Sequence, residues 1–150
     1  MSMDSLQIRL ADYPQDFAAI AHIRERVFQQ EQGVAPSLEF DAFDPQAQHF
    51  LAEWEQTPVG TARIRWIGPQ MAKLERLAVL AEYRGDGIGR RLMEYILKFL
   101  EQEQAIAVTM HAQTHALPFY EKLGFVAEGD LFDEAGIPHI TMSQQLRSPG

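Results

Sequence analysis

Three glycines at alternate positions, Gly85, Gly87 and Gly89, separate an apolar run at 77–80 from a strongly helical run that begins at Ile88. A strand passing into a helix through such a loop limits the fold more than any other feature of this chain. Glycine tolerates positive φ and lets a bound group approach the main chain. Successive N–H groups can then turn inward as an anion nest that opens onto a helix N-terminus. The spacing therefore predicts a phosphate-binding turn at the carboxyl end of a strand in an α/β sheet. Two common phosphate loops do not fit. A nucleoside-triphosphate loop needs Gly-Lys-Ser/Thr, and Arg90 and Arg91 stand in those places. The dinucleotide fingerprint needs a third glycine and an acidic residue about 20 positions on, whereas Arg90 follows Gly89 and the downstream acids fall inside a helix.

Around this loop the periodicities predict strand, helix, three strands, helix, strand, helix and two strands. Residues 7–10 read as a first strand. Asp12 with Gln15 suggests a capping box, and Phe17, Ile20, Arg24, Val27 and Phe28 recur at helical spacing to about residue 31. Residues 49–55 and 59–67 read as a hairpin and 71–80 as the next strand. Ile88, Leu92, Met93, Ile96 and Leu100 share one side of a helix, and 105–112 returns as a buried strand. Residues 116–123 form a short helix closed by Gly124, and 125–128 and 137–145 are closing strands around a turn-rich 130–136. Helices between sheet runs imply a mixed, mostly antiparallel sheet of about seven strands covered on both faces. No linker or repeat divides the 150 residues, so a single domain with a core from about 6 to 146 is expected.

The pattern Arg84-x-x-Gly87-x-Gly89, preceded by Leu77-Ala78-Val79 and followed by Ala116-x-x-Phe119-Tyr120-x-x-x-Gly124-Phe125, resembles the GCN5-related N-acetyltransferases (GNAT). Glu31-Gln32-Gly33-Val34 and Gly136-Ile137-Pro138-His139 resemble one branch of them, ElaA- and YjcF-like. The resemblance implies acetyl transfer from acetyl-coenzyme A to an amine. Leu77, Ala78, Val79, Arg84, Gly85, Asp86, Gly87, Ile88, Gly89 and Arg90 would hold the cofactor, with Phe119 and with Gln113 in place of the family's usual Asn. The resemblance places Tyr120 against the cofactor sulfur, and leaves open a homodimer and a longer acyl donor.

The chemistry needs an amine that loses a proton and a departing thiolate that is stabilised. Tyr120 suits the second task, because a phenol of pKa about 10 can donate a hydrogen bond or proton to a thiolate. Glu75 and, as runner-up, His111 are the candidate bases, although a structural role is the commoner one for either side chain. The acceptor-side segment carries Glu31, Glu39 and Asp41, which could attract a cationic amine or belong to a solvated acidic turn. Two other readings stay open: a non-catalytic coenzyme A-binding module, and an acyltransferase like the acyl-homoserine-lactone synthases.

Composition narrows the partners. Zero cysteine excludes a thiolate zinc site and a cysteine nucleophile, and no His-Glu-x-x-His accompanies His111 and His115, so no metal is expected. Thirteen basic against 21 acidic residues, net charge −8, opposes nucleic-acid binding. No apolar run reaches the roughly 18 residues of a membrane span, which points to a cytoplasmic protein without membrane contact. The expected partner is a small-molecule or peptide amine.

Overall fold

The computed structural model describes residues 5–39 and 41–147. Strand β1 (Leu6–Leu10) leads to α1 (Tyr13–Arg24), which continues as a wider π-helical turn over Glu25–Glu31. A short α2 (Pro36–Glu39) precedes β2 (Gln48–Trp54), β3 (Thr57–Gly68) and β4 (Met71–Val79). Then come α3 (Ile88–Gln102), β5 (Ala107–Gln113), α4 (Leu117–Lys122), β6 (Val126–Glu134) and β7 (Ile137–Gln145). The seven strands form one sheet in the order β1-β2-β3-β4-β5-β7-β6. Every neighbouring pair is antiparallel except β4 and β5, which run parallel and are joined through α3. The α/β mixed sheet expected from the sequence is the one observed.

Alternation along the strands sorts the core into two layers. Phe50, Ala52, Ala62, Ile64, Ala72, Leu74, Val108 and Met110 meet the apolar stripe of α3, formed by Ile88, Leu92, Met93, Ile96 and Leu100. Leu51 and Ala78 lie on the other face with Ile20, Ile23 and Val27 of α1 and its π turn. Both faces of the sheet are thus covered, and the rows on the α1 side also carry charge: Arg24 and Arg63 are each 1% exposed.

Two local expectations are corrected. The Asp12 side chain makes no cap hydrogen bond. Asp16 reaches back instead, accepting from the Asp12 N–H at 2.9 Å while gripping Arg9 at 2.8 Å. Residues 130–134 are strand rather than turn: β6 runs on to Glu134 across an irregularity between Glu128 and Phe132, and the reversal is confined to Ala135 and Gly136, both at positive φ. That two-residue turn matches the strand twist, as type I′ hairpins do. Among the described residues, no helix is long and apolar enough to cross a membrane.

Candidate active site

The parallel pairing of β4 and β5 stops at Leu74 and Met110, after only four residue pairs. Beyond that point the strands part, and a cavity of about 900 Å³ fills the opening. One cause lies in β4, where Arg63 pairs Glu75 but Thr61 pairs Ala78, so one extra residue is accommodated opposite β3. Arg76, at φ 59°, takes that strained position. The bulge turns Glu75 and Arg76 together toward the α1 side: Glu75 contacts Arg63, and Arg76 donates to the carbonyls of Leu38 and Glu39.

The glycine loop borders this cavity. Gly85 and Gly87 have φ of 92° and 85°, and Gly87 is the left-handed N-cap of α3. The first helical bond is Arg91 N–H to the Gly87 carbonyl. The amides of residues 85–90 therefore have no hydrogen-bond acceptor among the described residues, and a Cβ on Gly85 or Gly87 would meet nothing within 4 Å. Unengaged N–H groups stand at the positive end of a 15-residue helix, a location that favours anions.

Leu77, Ala78 and Val79 of β4 line the cavity with Arg84, Gly85 and Gly87 of the loop and Ile88, Gly89 and Arg90 of α3. Gln113 and Phe119 join them, whereas Asp86 does not. Arg84 forms a fork with Glu31, at 2.8 and 2.9 Å, while its Nε donates to the Val79 carbonyl. Gln113 exchanges amide hydrogen bonds with Gln32 at 2.9 and 3.4 Å, tying the end of β5 to the end of the π turn.

Tyr120 and His111 both line the cavity. The Tyr120 ring is held edge-on by Phe119 and Phe125, and its hydroxyl has no hydrogen-bond partner among the described residues. Burial pushes its phenol pKa up, so the proton stays on. His111 is one residue past the last β4–β5 pair, with Nδ1 2.8 Å from Glu134 Oε1.

The predicted acceptor carboxylates are neutralised within the protein. Glu39, 2% exposed, binds Arg24; Asp41 binds Arg63 at 2.7 Å and Arg76 at 3.3 Å; Glu31 binds Arg84. Of these three, only Glu39 lines the cavity, and its Oε1 is buried with no partner among the described residues. Glu75 is held by Arg63, Arg65 and Lys73. Its burial alone would raise its pKa, but Arg65 and Arg63 outweigh that and set it at about 2, which leaves a weak base. Asp44 is similar: burial opposes ionisation, yet Arg24 and Arg63 bring it to about 2.

Both values lie below the unfolded carboxylate range of about 4. Their stabilisation is therefore complete above that range and lost as pH falls from about 4 toward 2. With about 1.4 kcal/mol per pKa unit, each carboxylate should contribute on the order of 2 kcal/mol. Melting followed by circular dichroism should show a marked drop in Tm between pH 5 and pH 2.5. An unchanged Tm over that interval would contradict the assignment.

The sheet is thus opened between its parallel strands, with unengaged amides at one end of the opening. Residues 11–146 match the acetyltransferase (GNAT) domain. A Bacillus subtilis protein named as an acetyltransferase is 40% identical over 134 residues, 87% of this chain and 90% of its own length. The crystal structure of an N-acetyltransferase from Lactobacillus plantarum is similar at TM-score 0.88 with 27% identity, over 95% of this chain and 99% of that one. Escherichia coli ElaA is similar at TM-score 0.82 with 25% identity, over 93% and 99%. The chain belongs to the GCN5-related N-acetyltransferase family, and it is an acyltransferase enzyme.

Sequence reasoning missed Glu134, Arg76 and Gln32. Glu134 was hidden by reading 130–136 as a turn. The two-residue Ala135-Gly136 between Phe132-x-Glu134 and Ile137 was the available hairpin signal.

Proposed function

We propose that the protein transfers the acetyl group of acetyl-coenzyme A to a primary amine of a small molecule or peptide, by direct attack in a ternary complex. The observation that carries this reading is the row of unengaged amides at 85–90, opening onto a cavity that His111 and Tyr120 also line. Those amides, with Arg84 and Arg90, would hold the cofactor diphosphate. Gln113 and the edge of β4 at Leu77, Ala78 and Val79, left without a parallel partner beyond Leu74, would hold its amide-bearing arm. The bound cofactor supplies an activated thioester acyl group.

An alkylamine of pKa near 10 arrives protonated and gives one proton to water before attack, which frees the nitrogen lone pair. His111 Nε2, with Nδ1 engaged by Glu134, is suited to take the nitrogen's proton as the N–C bond forms and the C–S bond breaks. Tyr120 then donates a hydrogen bond to the leaving sulfur. With its pKa raised by burial above that of a thiol near 8.5, it serves as a fixed donor rather than releasing its proton outright. Glu75, paired with three cations, is in this reading an anchor for the bulged strand. Glu31 and Asp41 lie outside the cavity lining, and Glu39, paired with Arg24, braces its wall.

Thiol release from acetyl-coenzyme A over a panel of amines tests this reading. Turnover should appear, and His111→Ala should lower kcat by about 10²–10⁴-fold. Tyr120→Phe should lower it by about 10–100-fold, with acceptor KM little changed. Silence across the panel with intact cofactor binding would favour the non-catalytic binding module.

A further inference from the structure

We infer that Glu134 is the residue that positions His111, fixing which ring nitrogen carries the proton and stabilising the imidazolium when it forms. The inference rests on the reading of His111 as base. β6 brings Phe132 and Glu134, two residues apart and so on one face of the strand, against two imidazoles. His111 on β5 meets the Phe132 ring edge-on at 5.0 Å, and His139 on β7 stacks on the same ring at 6.0 Å. Glu134 Oε1 lies 2.8 Å from His111 Nδ1, and its other oxygen lies 3.7 Å from His139 Nε2.

A carboxylate can only accept, so the His111 contact requires the proton on Nδ1 and leaves the Nε2 lone pair available for an incoming proton. His139 does not compete with His111 for Glu134. Its Nδ1 is 2.6 Å from the Ile137 carbonyl and so carries the proton, and its Nε2 lies beyond hydrogen-bond reach of Glu134. Phe132 stops the His111 ring from tilting, as a packed side chain behind a hydrogen-bonded imidazole should. The Ala135-Gly136 turn delivers Glu134 to the cavity, which Glu134, Ala135, Ile137 and His139 line together.

The other charged or titratable side chains at this cavity include Lys73, Glu75 and Arg76 on β4, Lys122 on α4, Glu39 on α2 and His139 on β7, with Arg84, Arg90 and His115 on the loop, α3 and the turn after β5. Glu39 and Glu75 already answer arginines. Within the ion-pair geometry among the described residues, the carboxylate beside His111 is Glu134.

The test combines imidazole nitrogen NMR of the free protein with kinetics of Glu134→Ala and Glu134→Gln. In the wild type the neutral His111 ring should carry its proton on Nδ1. Glu134→Ala should move that proton toward Nε2. Glu134→Gln, which can still accept from Nδ1, should keep the tautomer and so separate orientation from charge. With the amine of highest turnover, Glu134→Ala should lower kcat about 10–100-fold with KM within about threefold, and should add little to His111→Ala. An unchanged tautomer in a folded Glu134→Ala protein would overturn the inference. So would unaltered kcat in both variants while His111→Ala is impaired. If His111→Ala itself retains full turnover, the reading of His111 as base falls first, and the NMR result still decides whether Glu134 orients the ring.

Discussion

Arg24→Met should destabilise the protein by about 3–5 kcal/mol, the cost of stripping one partner from a buried ion pair. The guanidinium is 1% exposed and holds Glu39 at 3.0 Å and Asp44 at 2.7 Å, both themselves 2% exposed. Without it, Asp44 keeps Arg63, but the nearest cation to Glu39 is Arg76 at 3.9 Å. A buried, poorly compensated carboxylate results. Glu39→Gln added to Arg24→Met should recover part of the loss, because the orphaned charge is then gone. Chemical denaturation of the two proteins checks this; a loss below about 1 kcal/mol for the single variant would mean that the network contributes little to the folded state. The effect would reach the site as well, since Arg24 ties α1 to the segment from which Glu39 faces the cavity.

Gly87→Val should weaken acetyl-coenzyme A binding at least tenfold while leaving the fold intact. Space is not the reason, because a Cβ there meets nothing within 4 Å. The reason is φ of 85°, which a β-branched residue resists by about 1–2 kcal/mol or more. Relieving that strain would rotate the amides of the nest away from their common focus. Gly129→Val is the matched control: it has φ of 79° and equally open space, but lies on β6 outside the cavity lining. Calorimetric titration should separate the two variants at similar melting temperatures. Equal affinity in both would remove residues 85–90 from the cofactor site.

The elements that were legible in the sequence are those whose signals are local. The alternation of β2 and β3, the stripe of α3 and the glycine loop each follow from residues within a few positions of one another. In the β6–β7 hairpin, β7 was legible over its full length and β6 only at its start. An irregularity at Gly129 and a run of polar residues masked the continuity of β6, and with it the position of Glu134.

The acidic segment after α1 shows the opposite limit. Glu39 and Asp41 looked like free charges for an amine because nothing near them in sequence opposes them. Their partners Arg24, Arg63 and Arg76 lie 15, 22 and 35 residues away. Likewise, no local pattern revealed that Glu75 would sit among Arg63, Arg65 and Lys73 once β3 and β4 paired.

By itself the chain determined its class of fold, its glycine turn at a helix N-terminus and its family, because periodicity, glycine spacing and helix polarity act over a few bonds. Which carboxylates are already satisfied, which histidine has a carboxylate behind it, and where the sheet opens were decided by the tertiary structure alone. Those properties depend on the burial and distance between charges brought together by strand register and the β4 bulge, and neither quantity exists until the sheet has formed.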